Sequence, residues 1–281
     1  MENKSKHNKE KIKMKSTTVF ILFTCITASI CSLASEKDLR VEEHNAEYVA
    51  KMKELKPALN KHLPQLFFAG DSISVGYGPA FKVALEGKVN ALHWMDLKTV
   101  FKNFSKDYPK FKYGGPVSYL KTASMLALNY KDYNPKPKFL MLNSGLHDIH
   151  RGRRNFDATL VRYLNTVKSI LVEAEKHRAT VIWVTTTSIG SGKTLMGTGE
   201  GTNPTIDRFN KEVVKLMKNH HVIDLGKFSN ELLEKHGEAK VVCKFRRRNL
   251  KQTDKVHFTD FAQIEQGKYL AKEVLKIMKI K

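Results

Sequence analysis

The sequence contains little cysteine, which excludes a small domain held together by disulfides. Only 3 of the 281 residues are cysteines. Cys25 and Cys31 lie in an uncharged N-terminal segment, so Cys243 is the single cysteine of the rest of the chain. Once that segment is removed no intramolecular disulfide can form, and the domain must be stable through packing alone.

Acidic residues are also scarce, since Asp and Glu number 28 against 49 Lys and Arg, giving a formal net charge of +21. Hydrophobic residues make up 41% of the chain, which is enough apolar material for a core. This composition argues against a disordered, collagen-like or polytopic membrane protein. A basic chain first suggests nucleic-acid binding. The export signal at the N-terminus, described next, argues against this, so we expect no nucleic-acid partner.

The N-terminal segment predicts export. Residues 1–15 contain six Lys and two Glu, residues 16–35 carry no charge, and Ser32-Leu33-Ala34 supplies a small-residue ending. This pattern is typical of a secretory signal peptide over residues 1–34 and predicts a periplasmic or secreted protein. An uncleaved N-terminal membrane anchor is the alternative. Cleavage lowers the net charge from +21 to +17, so most of the excess belongs to the mature chain.

The remaining chain predicts an N-terminal helical extension over 35–64 and one α/β domain over 65–281. The predicted strands are Leu66–Ala69, Val89–His93, Phe139–Ser144, Thr180–Thr187 and His221–Leu225. The predicted helices are 36–62, Gly76–Glu86, Ser118–Tyr130, Phe156–His177, Pro204–Asn219, Phe228–Lys235 and Thr259–Lys279. Alternation of this kind indicates a flavodoxin-like three-layer sandwich, in which a parallel sheet of about five strands has helices on both faces. Residues 188–203 and 239–254 are predicted to be irregular.

Ligands of open α/β sheets bind at the carboxyl ends of the strands, so the residues that follow each strand are the candidates for chemistry. Gly70-Asp71-Ser72 follows the first strand and precedes a helix. A serine at such a turn places its hydroxyl at the crevice and its N–H where a developing oxyanion is stabilised. Asp and Ser are equally good helix N-caps, and that structural role stays open.

Two further polar segments stand at corresponding places. Residues 143–150 follow the third strand, and residues 253–259 precede the last helix. In the second segment Asp254 and His257 are three residues apart, so the carboxylate can hydrogen-bond the imidazole while its other nitrogen faces a nucleophile. A surface Asp/His pair is the simpler alternative.

Together these motifs resemble those of the SGNH hydrolases, the GDSL-like esterases and lipases. The motifs are Gly70-Asp71-Ser72, the glycine turn Tyr113-Gly114-Gly115-Pro116, Gly145-Leu146-His147-Asp148, and Asp254 with His257. The resemblance extends from Leu66 to Met278. It is greatest to secreted bacterial members whose third block reads G-L-H-D.

The resemblance implies that Ser72 is the nucleophile, His257 the general base and then acid, and Asp254 the residue that orients His257. It also implies an oxyanion hole formed by the backbone N–H groups of Ser72 and Gly115 and by the side chain at 147. The family has asparagine at that last position, where this chain has His147. An imidazole N–H can donate one hydrogen bond in place of the amide.

The function implied by the resemblance is hydrolysis of a small acyl ester, especially an acetyl ester, on a carbohydrate, without a cofactor. Candidate substrate-binding residues are Asp71, Asp148, Arg151 and Arg247. Basic residues flank three of the four motifs: Lys110, Lys112, Arg151, Arg153, Arg154, Lys244, Arg246, Arg247 and Arg248. A positive crevice would attract an anionic glycan. A lysophospholipase or short-chain lipase, and a non-catalytic glycan-binding module, are the alternatives.

Two other chemistries are weaker hypotheses. Residues 190–194 end like a phosphate-binding loop, but the motif requires glycine where Thr187 stands and a helix where further glycines follow. His147, Asp148, His150 and His257 could hold a metal, yet His147 and His150 are expected on a loop, without the one-face geometry of a helical pair. We therefore expect neither a nucleotide nor a metal.

Overall fold

Five parallel strands pair in the order β2-β1-β3-β4-β5. This computed structural model describes residues 46–108, 115–151, 155–190, 202–243, 245–246 and 249–281. The strands are β1 (Gln65–Gly70), β2 (Asn90–His93), β3 (Phe139–Asn143), β4 (Thr180–Val184) and β5 (His221–Ile223). Every residue of β1 is buried, as a parallel strand covered on both faces requires. The strand order is that of flavodoxin-like sheets, which confirms the predicted fold class.

Helices cover both faces of the sheet. Within the described residues they are α1 (46–54), α2 (Ser72–Leu85), α3 (Leu97–Val100), α4 (Phe104–Asp107), α5 (Val117–Asn129), α6 (Leu146–Arg151), α7 (Phe156–Lys176), α8 (Thr202–Val214), α9 (Leu225–His236), α10 (Glu238–Val241) and α11 (Asp260–Ile277). A 3₁₀ turn, Trp94–Asp96, follows β2. One group consists of α2, α11 and α9, and the other of α5, α7 and α8. The sheet and these two groups are the three layers.

Helix α2 begins four residues earlier than the predicted start at Gly76. The reason is a cap: Asp71 has extended backbone angles, and its carboxylate accepts the Ile73 N–H at 3.0 Å. The N-cap role that the sequence left open for Asp71 is therefore present. It places Ser72 in the first turn of α2, directly beyond the carboxyl end of β1.

Two predicted elements are too long. The described part of the predicted helix 36–62 is helical only to residue 54, because Pro57 lacks an N–H and disfavours helix at the residue before it. The predicted strand over 180–187 ends at Val184. Beyond it the Thr186 N–H is bound by the Asn210 side chain at 2.8 Å instead of by a neighbouring strand.

Two segments expected to be irregular contain regular structure. Residues 146–151 form α6, and the stretch 239–254 contains α10 and an antiparallel pair, β6 (Phe245–Arg246) and β7 (Asn249–Thr253). Phe245 and Leu250 are the apolar residues of that pair, so no alternating pattern marks these strands in the sequence.

A glycine allows α11 to approach α2 closely. A Cβ at Gly267 would lie 2.7 Å from both the Ala80 Cβ and the Phe81 backbone nitrogen. Because α2 begins with Ser72 and α11 follows His257, this close packing fixes the positions of the two segments that carry the predicted catalytic pair.

The predicted signal peptide over 1–34 lies outside the described residues. Among the residues that are described, no helix has the length and apolar character needed to cross a membrane.

Candidate active site

The first and third motifs start level with each other on neighbouring strands. Gly70 of β1 pairs in register with Asn143 of β3, so Asp71-Ser72 and Ser144-Gly145 leave the sheet side by side. The Asn143 side chain donates to the Val184 carbonyl at 3.0 Å and thereby fixes the end of β3 against β4.

The fourth motif is a tight turn held from two sides. Lys255 adopts a left-handed conformation, with φ of 56°, which allows the chain to reverse between Asp254 and His257. Cys243 accepts the Lys255 N–H and donates its own N–H to the His257 carbonyl, both at 2.8 Å. On the other side, the Gly190 N–H donates to the Lys255 carbonyl at 2.7 Å. The turn is thus connected to two other segments of the chain.

Ser72, His257 and Asp254 form one continuous hydrogen-bonded chain. The Ser72 Oγ lies 2.8 Å from His257 Nε2, although the two residues are 185 positions apart. His257 Nδ1 lies 2.9 Å from each carboxylate oxygen of Asp254. Geometry of this kind allows the carboxylate to hold Nδ1–H and leaves Nε2 to accept the serine proton.

The glycine turn and the third motif, which carry two of the residues predicted for the oxyanion hole, contact each other. Gly115 is buried, with φ of 127°, and its carbonyl is 3.4 Å from the Ser144 Oγ. The Asp148 carboxylate accepts the Val117 N–H at 2.9 Å, which connects the glycine turn to the third motif. A Cβ at Gly145 would overlap the Thr186 Oγ1, so glycine is required there.

No protein-family model and no curated protein matches the sequence. Solved structures do match. An acetyl xylan esterase, AlAXEase, is 16% identical with a TM-score of 0.51, covering 75% of this chain and 99% of its own. The α/β hydrolase LAE5, from the metagenome of Lake Arreo in Spain, is 12% identical with a TM-score of 0.52, covering 77% and 95%. A GDSL-like lipase from Bacteroides thetaiotaomicron is 13% identical with a TM-score of 0.45, covering 83% and 98%.

The chain has the SGNH hydrolase fold. A fold hosts many activities, so the activity has to be argued from the site. The secreted bacterial subtype with a G-L-H-D block stays a prediction.

Asp254 is the buried end of the hydrogen-bonded chain. Its side chain is 7% exposed, against 42% for His257. Burial alone would raise the pKa of Asp254, but hydrogen bonds from the His257 backbone N–H, the His257 ring and the Val256 N–H outweigh it and lower the pKa. Asp254 is therefore ionised at neutral pH and can stabilise an imidazolium.

His147 lies on α6, whereas the sequence predicted a loop at this place. Leu146 and Ile149 are both buried, and a helical turn places residues three apart on the same face. Burial lowers the pKa of His147, and repulsion from Arg151, His150 and His257 lowers it further. A neutral imidazole carries one N–H, so His147 can donate a single hydrogen bond.

The expected absence of a metal site concerned His147, Asp148, His150 and His257. In the part of the chain that the structure describes, no group of three or more His, Cys, Asp or Glu side chains is placed to hold a metal ion.

Two carboxyl groups near Ser72 are held in apolar surroundings. Burial raises the pKa of Asp71 to about 6, against the opposing effects of the Ile73 N–H and His257. Burial also raises the pKa of Asp148 to about 6, against the opposing Val117 N–H and Arg151. Both carboxylates are used by backbone N–H groups of the protein, and their predicted contact with substrate stays a prediction.

These two carboxyl groups should make the protein more stable in mild acid. The pKa of each group is about 6 in the folded protein, above the ordinary 3.8. Between these two pH values the folded state therefore binds more protons than the unfolded state. The unfolding free energy then rises as pH falls through 6, by up to about 3 kcal/mol per group. We expect Asp148→Asn to remove the part of this pH dependence that comes from one carboxyl group. The unfolding free energy of the variant should therefore exceed that of the wild type by more at about pH 7 than at about pH 5.

Thermal unfolding of both proteins at the two pH values measures this difference. Asp207→Asn, at an exposed carboxylate, is the control and should change stability equally at both. A difference for Asp148→Asn that does not depend on pH would contradict the assignment.

For most of the basic residues beside the motifs, the structure does not describe the side chain. Arg151 ends α6 and is exposed. The side chain of Arg247 lies outside the described residues, as do those of the other basic residues beside the motifs and most of the phosphate-loop-like segment over 190–194.

Three buried residues behind Ser72 are absent from the predicted site. Ser74 lies in the first turn of α2, and its Oγ is 3.2 Å from His93 Nε2. Trp94 Nε1–H donates to the Gly70 carbonyl at 3.1 Å. The signal that could have indicated His93 and Trp94 is their place at the carboxyl end of β2, beside β1 in the SGNH fold.

Proposed function

We propose that this protein is a serine ester hydrolase that forms its acyl-enzyme on Ser72. The observation that carries the proposal is the Ser72–His257–Asp254 chain, with contacts of 2.8 and 2.9 Å at the carboxyl edge of the sheet. The SGNH fold supports it, because these three hydrogen-bonded side chains lie where ligands of doubly wound sheets bind. Ser72 is exposed, so an ester carbonyl can reach its Oγ.

In the first half-reaction the Ser72 Oγ attacks the ester carbonyl carbon, and its proton passes to His257 Nε2. Asp254 stabilises the resulting imidazolium through Nδ1–H. The carbonyl oxygen becomes an oxyanion, which the backbone N–H groups of Ser72 and Gly115 and the imidazole N–H of His147 are proposed to bind. Collapse of the intermediate breaks the ester C–O bond, and the leaving alcohol takes the proton from His257.

In the second half-reaction a water molecule replaces the alcohol. His257 accepts a proton from the water as it attacks the acyl carbon. The intermediate collapses to the free acid, and His257 returns the proton to the Ser72 Oγ. This scheme follows the general serine acyl-transfer mechanism. None of its steps uses a metal or a cofactor.

The substrate is proposed to be an acetylated carbohydrate. AlAXEase, which has the same fold, is an acetyl xylan esterase, and this supports a small acyl group on a sugar. Exposed Arg151, next to the third motif, supports a glycan that carries negative charge. Long-chain lipids are less favoured, since no long apolar lid segment stands out in the sequence. We also propose that residues 1–34 direct export and are removed.

Two measurements on the purified domain test the proposal. A fluorophosphonate probe should add one adduct, located by peptide mass spectrometry on the peptide that contains Ser72. Acetate release should be faster from an acetylated acidic glycan than from acetylated xylan, and faster from either than fatty-acid release from a lysophospholipid. An acidic-glycan preference should weaken as salt is added.

Two other outcomes would contradict part or all of this proposal. Faster fatty-acid release would replace the carbohydrate substrate by a lipid. Glycan binding with neither acetate release nor an adduct would favour the non-catalytic module and contradict the proposed function.

A further inference from the structure

A buried series of polar side chains stands behind the turn that carries Ser72. Ser74 is 0% exposed and His93 is 4% exposed. The Ser74 Oγ lies 2.8 Å from the Asp71 carbonyl oxygen and 3.2 Å from His93 Nε2. The backbone N–H of Val75 also donates to the Asp71 carbonyl, but at 3.3 Å. Of these two hydrogen bonds to the carbonyl, the one from the Ser74 hydroxyl is therefore the shorter.

The directions of these hydrogen bonds follow from counting protons. A hydroxyl has one proton, and the Ser74 hydroxyl donates it to the Asp71 carbonyl. The contact with His93 therefore requires the ring to donate from Nε2–H. Burial, together with Lys82, lowers the pKa of His93 well below its ordinary value, so the ring is a neutral imidazole with this single N–H.

His93 is itself held in place. Its ring lies beside the rings of Phe68 and Trp94, with centroids 4.6 and 5.0 Å away. Its backbone N–H donates to Asp96 Oδ2 at 2.8 Å, and Lys82 Nζ binds the other oxygen of Asp96 at 3.1 Å. The ring thus has little freedom to turn away from Ser74.

The Asp71 carbonyl belongs to the same peptide group as the Ser72 N–H. Because a trans peptide is planar, its C=O and N–H point in opposite directions, and fixing one fixes the other. The Ser72 N–H is one of the proposed oxyanion donors. A donor of this kind is effective only when it is aimed in advance at the position of the developing charge.

We propose that Ser74 and His93 are positioning residues that orient the Ser72 backbone N–H toward the oxyanion. The inference rests on the proposed function, since it concerns the same site. Neither side chain needs to touch the substrate: His93 holds the Ser74 hydroxyl, Ser74 holds the Asp71 carbonyl, and the peptide plane transmits the orientation.

Ser74→Ala should lower kcat for p-nitrophenyl acetate roughly 10- to 100-fold with KM unchanged, because a small misplacement of the donor weakens transition-state binding alone. The rate of fluorophosphonate labelling at Ser72 should fall by a similar factor, since its transition state also develops a negative oxygen. His93→Leu should reproduce both losses. His93→Gln should retain most of the activity, because the glutamine amide can donate in place of Nε2–H.

The matched control is Ser229→Ala. Ser229 is also 0% exposed, and its Oγ lies 3.0 Å from Gln266 Nε2, away from the site. It should lower the melting temperature about as much as Ser74→Ala while leaving kcat and labelling unchanged. Wild-type kcat in Ser74→Ala, or equal losses in His93→Gln and His93→Leu, would overturn the inference.

Failure of the proposed function gives a different result. If Ser72→Ala keeps wild-type turnover, the function itself is wrong. If Ser72→Ala is inactive while Ser74→Ala is unaffected, only the positioning role is wrong.

Discussion

Replacing Ser72 by alanine is expected to reduce ester hydrolysis by at least roughly 10⁴-fold. The Ser72 Oγ is the group that His257 Nε2 contacts at 2.8 Å, and alanine leaves the base without a nucleophile to activate. Folding should be unaffected, because the helix is capped by Asp71 and Ser72 is exposed. The measurement is kcat/KM with p-nitrophenyl acetate, together with the melting temperature of each protein.

Ser169→Ala is the control for this prediction. Ser169 lies on α7, where its Oγ bonds the Asn165 carbonyl at 3.0 Å, and its loss should leave kcat/KM unchanged. Turnover by Ser72→Ala at the wild-type rate would show that another group performs the chemistry. A loss of activity accompanied by a large fall in melting temperature would instead attribute the effect to folding.

The sheet could be predicted from the sequence because its strands are buried on both faces. A parallel strand of this kind is an uninterrupted apolar run, such as Leu66–Ala69, and turn residues at its ends separate it from the helices. The same principle explains why β6 and β7 were not predicted. They form an antiparallel pair outside the main sheet, and their few apolar residues leave no pattern to detect.

Boundaries at polar residues were harder to predict. Asp71 and Ser72 could belong to a loop or to the first turn of a helix, and the choice depends on whether the Asp71 carboxylate reaches the Ile73 N–H. The segment after Gly145 presents the same ambiguity, since histidines and an aspartate suit loops and helix ends equally.

The site was accessible to sequence reasoning only where short motifs carry its residues. Ser72, Asp254 and His257 stand within such motifs, and the fold brings them into one chain. His93 stands within no motif, and it meets Ser74 because β2 pairs with β1 and α2 folds back over both. Contacts of this kind are set by packing, so the place of His93 at the end of β2 can mark it as a candidate, but the sequence does not show which residue its ring contacts.

Replacing Asp254 by asparagine is expected to lower kcat by on the order of 10³- to 10⁴-fold. Asparagine has nearly the same shape, and its amide oxygen can still accept the Val256 and His257 backbone N–H groups, which Asp254 Oδ1 accepts at 3.1 and 3.0 Å. The turn should therefore persist. The amide nitrogen, however, donates to His257 Nδ1, which moves the ring proton to Nε2. The ring then donates to the Ser72 Oγ instead of accepting its proton.

Asp224→Asn is the matched control, because Asp224, like Asp254, follows a β-strand and accepts a backbone N–H through Oδ1. Its Oδ1 accepts the Thr185 hydroxyl at 2.8 Å and the Lys227 N–H at 3.0 Å, both of which an amide oxygen can accept. Steady-state kinetics and fluorophosphonate labelling should show the loss in Asp254→Asn alone. Wild-type kcat in Asp254→Asn would mean that His257 selects its tautomer without the carboxylate, and the chain of three groups would then reduce to a pair.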